Sequence, residues 1–149
     1  MNKHESLRKH LLATMPDLQL NPDRLLIFID NGKIRCTAAP SLSFEYSFDL
    51  QIILTDFAGH PDSVVLPLLG WVSVHQPELL ENLDKVKNGI QFEADILDKN
   101  KVDLSLTLAL TERVIVGTDA QGKTTIKHAG EPMQVAANLD PNWIPADGQ

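Results

Sequence analysis

Val102-Asp103-Leu104-Ser105-Leu106-Thr107-Leu108-Ala109-Leu110 alternates apolar and polar residues almost without error. A β-strand sends successive side chains to opposite faces. This run therefore buries one face of a sheet and turns the other to water or a partner. Phe44 to Ile52 and Phe92 to Ile96 carry the same alternation. Strands are expected at Ile90–Leu97 and Val102–Val116, and the polar link Asp98-Lys99-Asn100-Lys101 joins them as an antiparallel hairpin. The polar positions hold Glu45, Asp49, Glu93, Asp95 and Asp103, with almost no basic residue between them. These acids are candidate protein-interface residues. A pair such as Glu93 and Asp95 on an open sheet face lacks the desolvation that general acid–base chemistry requires.

The alternation slips at Thr111-Glu112-Arg113. Glu112 falls in register with Leu104 to Leu110, where an unpaired charge is costly to bury. A β-bulge or the strand's departure from the core resolves the conflict, and Glu112 and Arg113 join the candidate interface.

Upstream, Asn2 to Met15 reads as a helix with Leu7, Leu11, Leu12 and Met15 on one stripe. Pro16 stops it and Asn21-Pro22 marks a second break. Leu25 to Asp30, apolar on both faces, reads as a strand covered on both sides. Asn31-Gly32 then signals a type I′ hairpin turn, with Lys33 to Ala39 returning. A strand from Leu42 to Leu54 follows. Asp62 or Ser63 is expected to cap a helix running to His75, with Val64, Val65, Leu68, Leu69 and Val72 as its stripe. Pro67 is expected to kink or restart that helix. Trp71 lies beside the stripe and reads as a core edge, with a partner contact as the alternative. Pro77 to Leu83 is a helical turn or loop, and Lys85 to Gly89 a polar connection.

Beyond Gly117 core-grade residues thin out. Thr124 to Lys127 and Met133 to Val135 are expected to form a small hairpin. Asn138 to Gln149 reads as a Pro-rich extended arm carrying Trp143 and Ile144. The arm folds back on its own subunit, stays disordered, or docks on a neighbour; in the last case Trp143 and Ile144 are interface residues. The fold class is α+β: a mostly antiparallel sheet with two main helices packed on one face. Residues 1–117 form its body, and 118–149 the C-terminal hairpin and arm of the same domain.

The 149 residues suffice for one domain with a real core. Thirteen Lys and Arg against twenty Asp and Glu give a net charge of -7, which argues against specific nucleic-acid binding. Cys36, the single cysteine, cannot form an internal disulfide and reads as a small buried thiol. Neither a secretory leader nor a membrane-length apolar run appears, so the expectation is a soluble protein from a reducing compartment. The five histidines lack metal-ligand spacing and read as surface residues. Gly117-Thr118-Asp119-Ala120-Gln121-Gly122-Lys123-Thr124 formally matches a phosphate loop. Thr125 to Gly130 do not continue as an amphipathic helix, and no βαβ unit surrounds the motif, so it reads as a turn between β segments. The residues therefore call for no catalytic group, cofactor or metal.

Several strings carry a resemblance. They are Asn21-Pro22-Asp23-Arg24-Leu25, Asp30-Asn31-Gly32, Ser41-Leu42-Ser43-Phe44-Glu45-Tyr46 and Thr55-Asp56-Phe57-Ala58-Gly59. Trp71 with Gln76-Pro77-Glu78-Leu79-Leu80, then Phe92 to Leu97 and Leu110 to Val114, continue the set. In this order, over roughly residues 5 to 117, they resemble the tail-completion protein R family of contractile-tailed, P2-like phages and prophages. The resemblance implies a structural virion protein that finishes the tail at its head-proximal end and prepares it for joining to the head. It also implies a tail-terminator-like fold, possession of partners rather than substrates, and assembly in the host bacterial cytoplasm. The implied partners are further copies of itself in a six-fold ring, the tail tube or sheath protein, and head–tail connector proteins. The alternatives are a neck adaptor and, from the phosphate-loop match alone, a nucleotide hydrolase.

Overall fold

The computed structural model describes residues 1–36 and 41–129. Its spine is the strand quoted above, β4 (Val102–Thr118). One edge of β4 pairs antiparallel with β2 (Phe44–Phe57); the other pairs with β3 (Ile90–Ile96) and, further along, with β5 (Thr124–His128). With β1 (Leu25–Cys36) beside β2, the order is β1-β2-β4-β3. The alternation fixes the register. Phe48, Leu50, Ile52 and Leu54 of β2 and Leu104, Leu106, Leu108 and Leu110 of β4 are all buried on the inner face.

Helices α1 (Lys3–Thr14) and α3 (Asp62–His75) cover that face, adding Leu7, Leu11, Val64, Leu68, Trp71 and Val72 to a single core. Each such side chain contributes about 1.5–3 kcal/mol by leaving water. The expected α+β layering is therefore present. Pro16 ends α1 and also opens α2 (Pro16–Leu20), because a proline at the first helical position loses no hydrogen bond. A 3₁₀ turn, Pro22–Arg24, leads into β1.

Several expectations change. Asn31-Gly32 is not a hairpin turn. β1 runs through it, and two residues there oppose one on β2, since Asp30 pairs with Asp49 and Lys33 with Ser47. The positive φ that the dipeptide signals is real, at +53° for Asn31, but it serves a β-bulge. A left-handed non-glycine residue costs about 1 kcal/mol, offset here as Asn31 Nδ2 donates to Asp49 Oδ2 at 2.9 Å. A second bulge follows the same design. Asp56, with φ of +50°, sits where Leu54 pairs with Leu104 and Phe57 with Val102, and its amide donates to Asp103 Oδ1 at 2.9 Å. β1 is covered on one side only: Leu26 and Phe28 are exposed on the outer face.

Neither Asp62 nor Ser63 caps α3. His60 Nδ1 accepts the Asp62 amide at 3.1 Å, and Ser63 Oγ donates to the His60 carbonyl. α3 passes Pro67 without a break. The proline sits near the start of the helix, where one hydrogen bond is lost. A short α4 (Glu78–Glu81) fulfils the helical-turn expectation. The polar connection is instead a helix, α5 (Leu83–Gly89), whose N-cap Asn82 accepts the amides of Asp84 and Lys85. Thr124–Lys127 does form a strand, but it pairs with β4; residues 133–135 and the arm lie outside the described residues. Cys36 is exposed, at an end of β1 where Ile34 on the same face is exposed as well.

Candidate interaction surfaces and their buried support

Directly paired residues share a sheet face, so the register writes out the outer surface row by row. One end carries Arg35, Glu45 and Arg113 side by side on β1, β2 and β4. Arg35 Nη2 meets Glu45 Oε1 at 2.9 Å. Next come Lys33, Ser47 and Thr111, then Asp30, Asp49 and Ala109. The far end carries Glu93 beside Ser105, and Asp95 directly opposite Asp103. Like charges so placed repel one another and favour a cationic neighbour. From Arg113 to Asp103 the strand spans about 33 Å.

The outer face is thus not uniformly acidic, as the alternating runs alone imply. The bulge at Asn31 returns Lys33 and Arg35 to this face, and the end of β4 adds Arg113. The result is a face basic at one end and acidic at the other. Of the candidate interface residues, Glu93, Asp95 and Arg113 are exposed and Glu45, Asp49 and Asp103 half-buried. Asp49 and Asp103 also hold the two bulges. A cleft of about 410 Å³ lies between this face and α4–α5, lined by Lys33, Asp49, Glu78, Lys85 and Thr111 among others. Lys85 pairs with Glu78 at 2.9 Å, which with hydrogen bonds from Gln76 and Thr111 outweighs burial and holds the Glu78 carboxyl below its ordinary range.

Two candidates lie inside the subunit. Trp71 is 2 % exposed; its Nε1 donates to Ser6 Oγ at 3.0 Å and its ring stacks on His75. It is a core residue joining α3 to α1. Glu112 is 3 % exposed, and β4 neither bulges nor leaves the core there, since Thr111, Glu112, Arg113 and Val114 pair in unbroken register with β2. The conflict is resolved by pairing. The Glu112 carboxylate accepts the amides of Asn2 (2.7 Å) and Lys3 (2.9 Å), lies 3.7 Å from the Met1 amine, and meets His128 Nδ1 at 2.7 Å. Orphan amides and dipole at a helix N-terminus favour an anion, and Glu112 supplies it from another element. Burial raises its pKa, but the Lys3 and Asn2 amides, the amine and His128 outweigh that and hold it below 4.5.

Gln76 completes this support. β3 and β5 share one edge of β4 but leave a gap between Leu108 and Arg113. Gln76, fully buried, fills it: Oε1 accepts the Thr111 amide at 3.1 Å and the Lys3 ammonium at 2.7 Å, while Nε2 donates to Thr111 Oγ1 and Glu78. Lys3 also donates to the His75 carbonyl at 2.8 Å. One polar network therefore locks α1, the α3–α4 junction, β4 and β5 beneath the outer face. Sequence reading misses Gln76 and Lys3 because no spacing rule links residues brought together only by the fold.

The glycine-rich stretch is the β4–β5 turn. Gly117 pairs with Thr125 and Thr118 with Thr124. Asp119 Oδ1 accepts the amides of Gln121 and Lys123, both at 2.9 Å, so a carboxylate occupies amides that a phosphate would require. Among the described residues no group of three or more His, Cys, Asp or Glu could hold a metal, and no helix is long and apolar enough to cross a membrane.

Residues 1–132 match the family model described as P2 phage tail completion protein R (GpR). The chain is 41% identical over 132 residues to tail completion protein R of Escherichia phage P2, covering 89% of this chain and 84% of that protein. No solved structure matches it. With the match reaching from α1 through β5, the chain belongs to the P2 phage tail completion protein R family.

Proposed function

We propose that this chain is a structural subunit of a phage tail. It completes the tail at its head-proximal end as a ring of identical copies and prepares it for joining to the head. Family membership supports the tail role. The observation that carries the ring is the outer face, basic at Lys33, Arg35 and Arg113 and acidic at Glu93, Asp95 and Asp103. A head-to-tail ring needs two different, mutually complementary patches on each subunit. The acidic end of one copy meets the basic end of the next, and the like-charge pair Asp95–Asp103, which has no ion-pair partner among the described residues, gains cations there. The tube or sheath and the head–tail connector are the further partners, on the rims of the ring. No catalytic step enters this reading.

Charge exchange tests it. Asp95→Lys and Arg113→Glu each place like charges across the contact and are expected to abolish association of the purified protein and tail completion. Together in one chain they restore opposite charges and recover both. Each site is exposed, so thermal stability should stay within about 0.5 kcal/mol. Single variants that associate and complete tails as the parent does would exclude this interface. Normal heads and full-length tails that fail only to join would favour the neck-adaptor reading.

A further inference from the structure

Two apolar features of the subunit lack cover among the described residues. The first is a knob. Leu83, the first residue of α5, is 87 % exposed, and Leu80 and Val86, three residues to either side, are exposed as well. The corner that carries it is stiff. Asn82 caps α5 through the amides of Asp84 and Lys85, and Lys85 of α5 clamps Glu78 of α4 at 2.9 Å. Leu79 is buried against Gly89, where an added Cβ would lie 2.6 Å from its Cδ2. A large apolar side chain held this firmly in water is preorganised for a partner. The second feature is a socket. Ile96 is 83 % exposed, although its partner Val102 lies on the inner face. Beside it a cleft of about 430 Å³ opens between β3 and the β2–α3 loop, with Ala94, Ile96 and Val102 on one side and Ala58 and Pro61 on the other. Lys99, Lys101 and His60 stand on its rim together with one acid, Asp98.

We infer that Leu83 of one copy seats in this cleft on the next copy, against Ala94 and Ile96, and anchors the head-to-tail contact. The inference rests on the ring reading above and names the side chain that holds the ring together. Charge selects this occupant. Glu81 and Asp84 flank Leu83, and Lys85 is engaged with Glu78, so acids dominate the corner, whereas cations dominate the rim of the cleft. The odd charge on each side, Lys87 and Asp98, is again of opposite sign. Position agrees with the outer face. The α4–α5 corner stands across the 410 Å³ cleft from Lys33, beside the basic part of the sheet. Ala94, Ile96 and Val102 of the socket are the chain neighbours of Asp95 and Asp103, at the acidic end. Each end therefore carries both signs in crossed order: a basic sheet beside an acidic corner, and an acidic sheet beside a basic hairpin. A contact that joins the two sheet ends brings the knob to the socket as well, and such crossed patterns fix orientation by opposing like charges in the wrong one. Two-fold packing of knob on knob would set Glu81 and Asp84 against their own copies.

Cross-linking across the contact tests it, in the full chain with Cys36→Ser removing the native thiol. Leu83→Cys and Ile96→Cys are placed in separate chains and mixed with a short thiol-reactive linker. The mixture is expected to yield a covalent dimer of the two variants, while either variant alone stays monomeric on a denaturing gel; both changes in one chain should yield a ladder of multimers. Leu83→Asp, at a site already exposed, is expected to weaken association of the otherwise native chain at least about tenfold by sedimentation velocity, with circular dichroism unchanged. Linking of Leu83→Cys to itself in preference to Ile96→Cys overturns the inference in favour of two-fold packing. Association that persists in Leu83→Asp, with no linkage between positions 83 and 96, overturns the anchor and leaves the ring standing. A parent chain that never associates removes the ring reading and the anchor with it.

Discussion

Replacing Glu112 with Ala is expected to cost about 3 kcal/mol of stability, read as a lower denaturation midpoint at unchanged m-value. The loss has two parts. The Asn2 and Lys3 amides at the start of α1 lose a charged acceptor in a buried setting, and His128 on β5 loses its partner. Glu112→Gln should cost less, because an amide oxygen still accepts one of the two amides. The pH dependence follows from the lowered folded-state pKa of Glu112. A carboxylate whose folded pKa lies below its unfolded value binds fewer protons in the native state. Its contribution is complete above the unfolded value, near 4.5, and is lost as pH falls from there through the folded pKa. The parent should therefore lose stability more steeply than Glu112→Gln on acidification below that point. Equal acid slopes, or an unchanged midpoint for Glu112→Ala, contradict this account of the network.

Gln76→Leu is expected to cost about 2–4 kcal/mol, since it strands the Thr111 amide in a part-buried gap of the sheet and removes one of the acceptors of Lys3. Leucine is one bond shorter but of comparable volume, so cavity formation is a minor contributor. The network also predicts coupling. Gln76 and Glu112 meet through Lys3, whose side chain binds one and whose amide binds the other. Combining Gln76→Leu with Glu112→Ala should give a total smaller than the sum of the single losses by about 0.5–3 kcal/mol. Strict additivity would separate the two sites.

Most of the layering was legible because β2 and β4 alternate cleanly and α1 and α3 carry compact apolar stripes. What failed to read did so for tertiary reasons. Asn31-Gly32 announces positive φ, but whether the chain then reverses or bulges is decided by the strand alongside, here Ser47 to Asp49 of β2. Glu112 registers as a misfit in a hydrophobic run; only the fold reveals that α1 brings its amides to it. The acidic residues of the outer face were readable one strand at a time. Its basic end was not, because Lys33 and Arg35 reach that face only through the bulge. Trp71 follows the opposite course: a residue at the edge of its helical stripe became core once Ser6 and His75 closed over it.

The proposed role, a structural part that finishes tails, is read out by electron microscopy of particles assembled with and without the chain. Particles made without it are expected to show tails with aberrant head-proximal ends and no attached heads, and adding purified chain should restore joined particles. Normal, complete particles formed in its absence would contradict it.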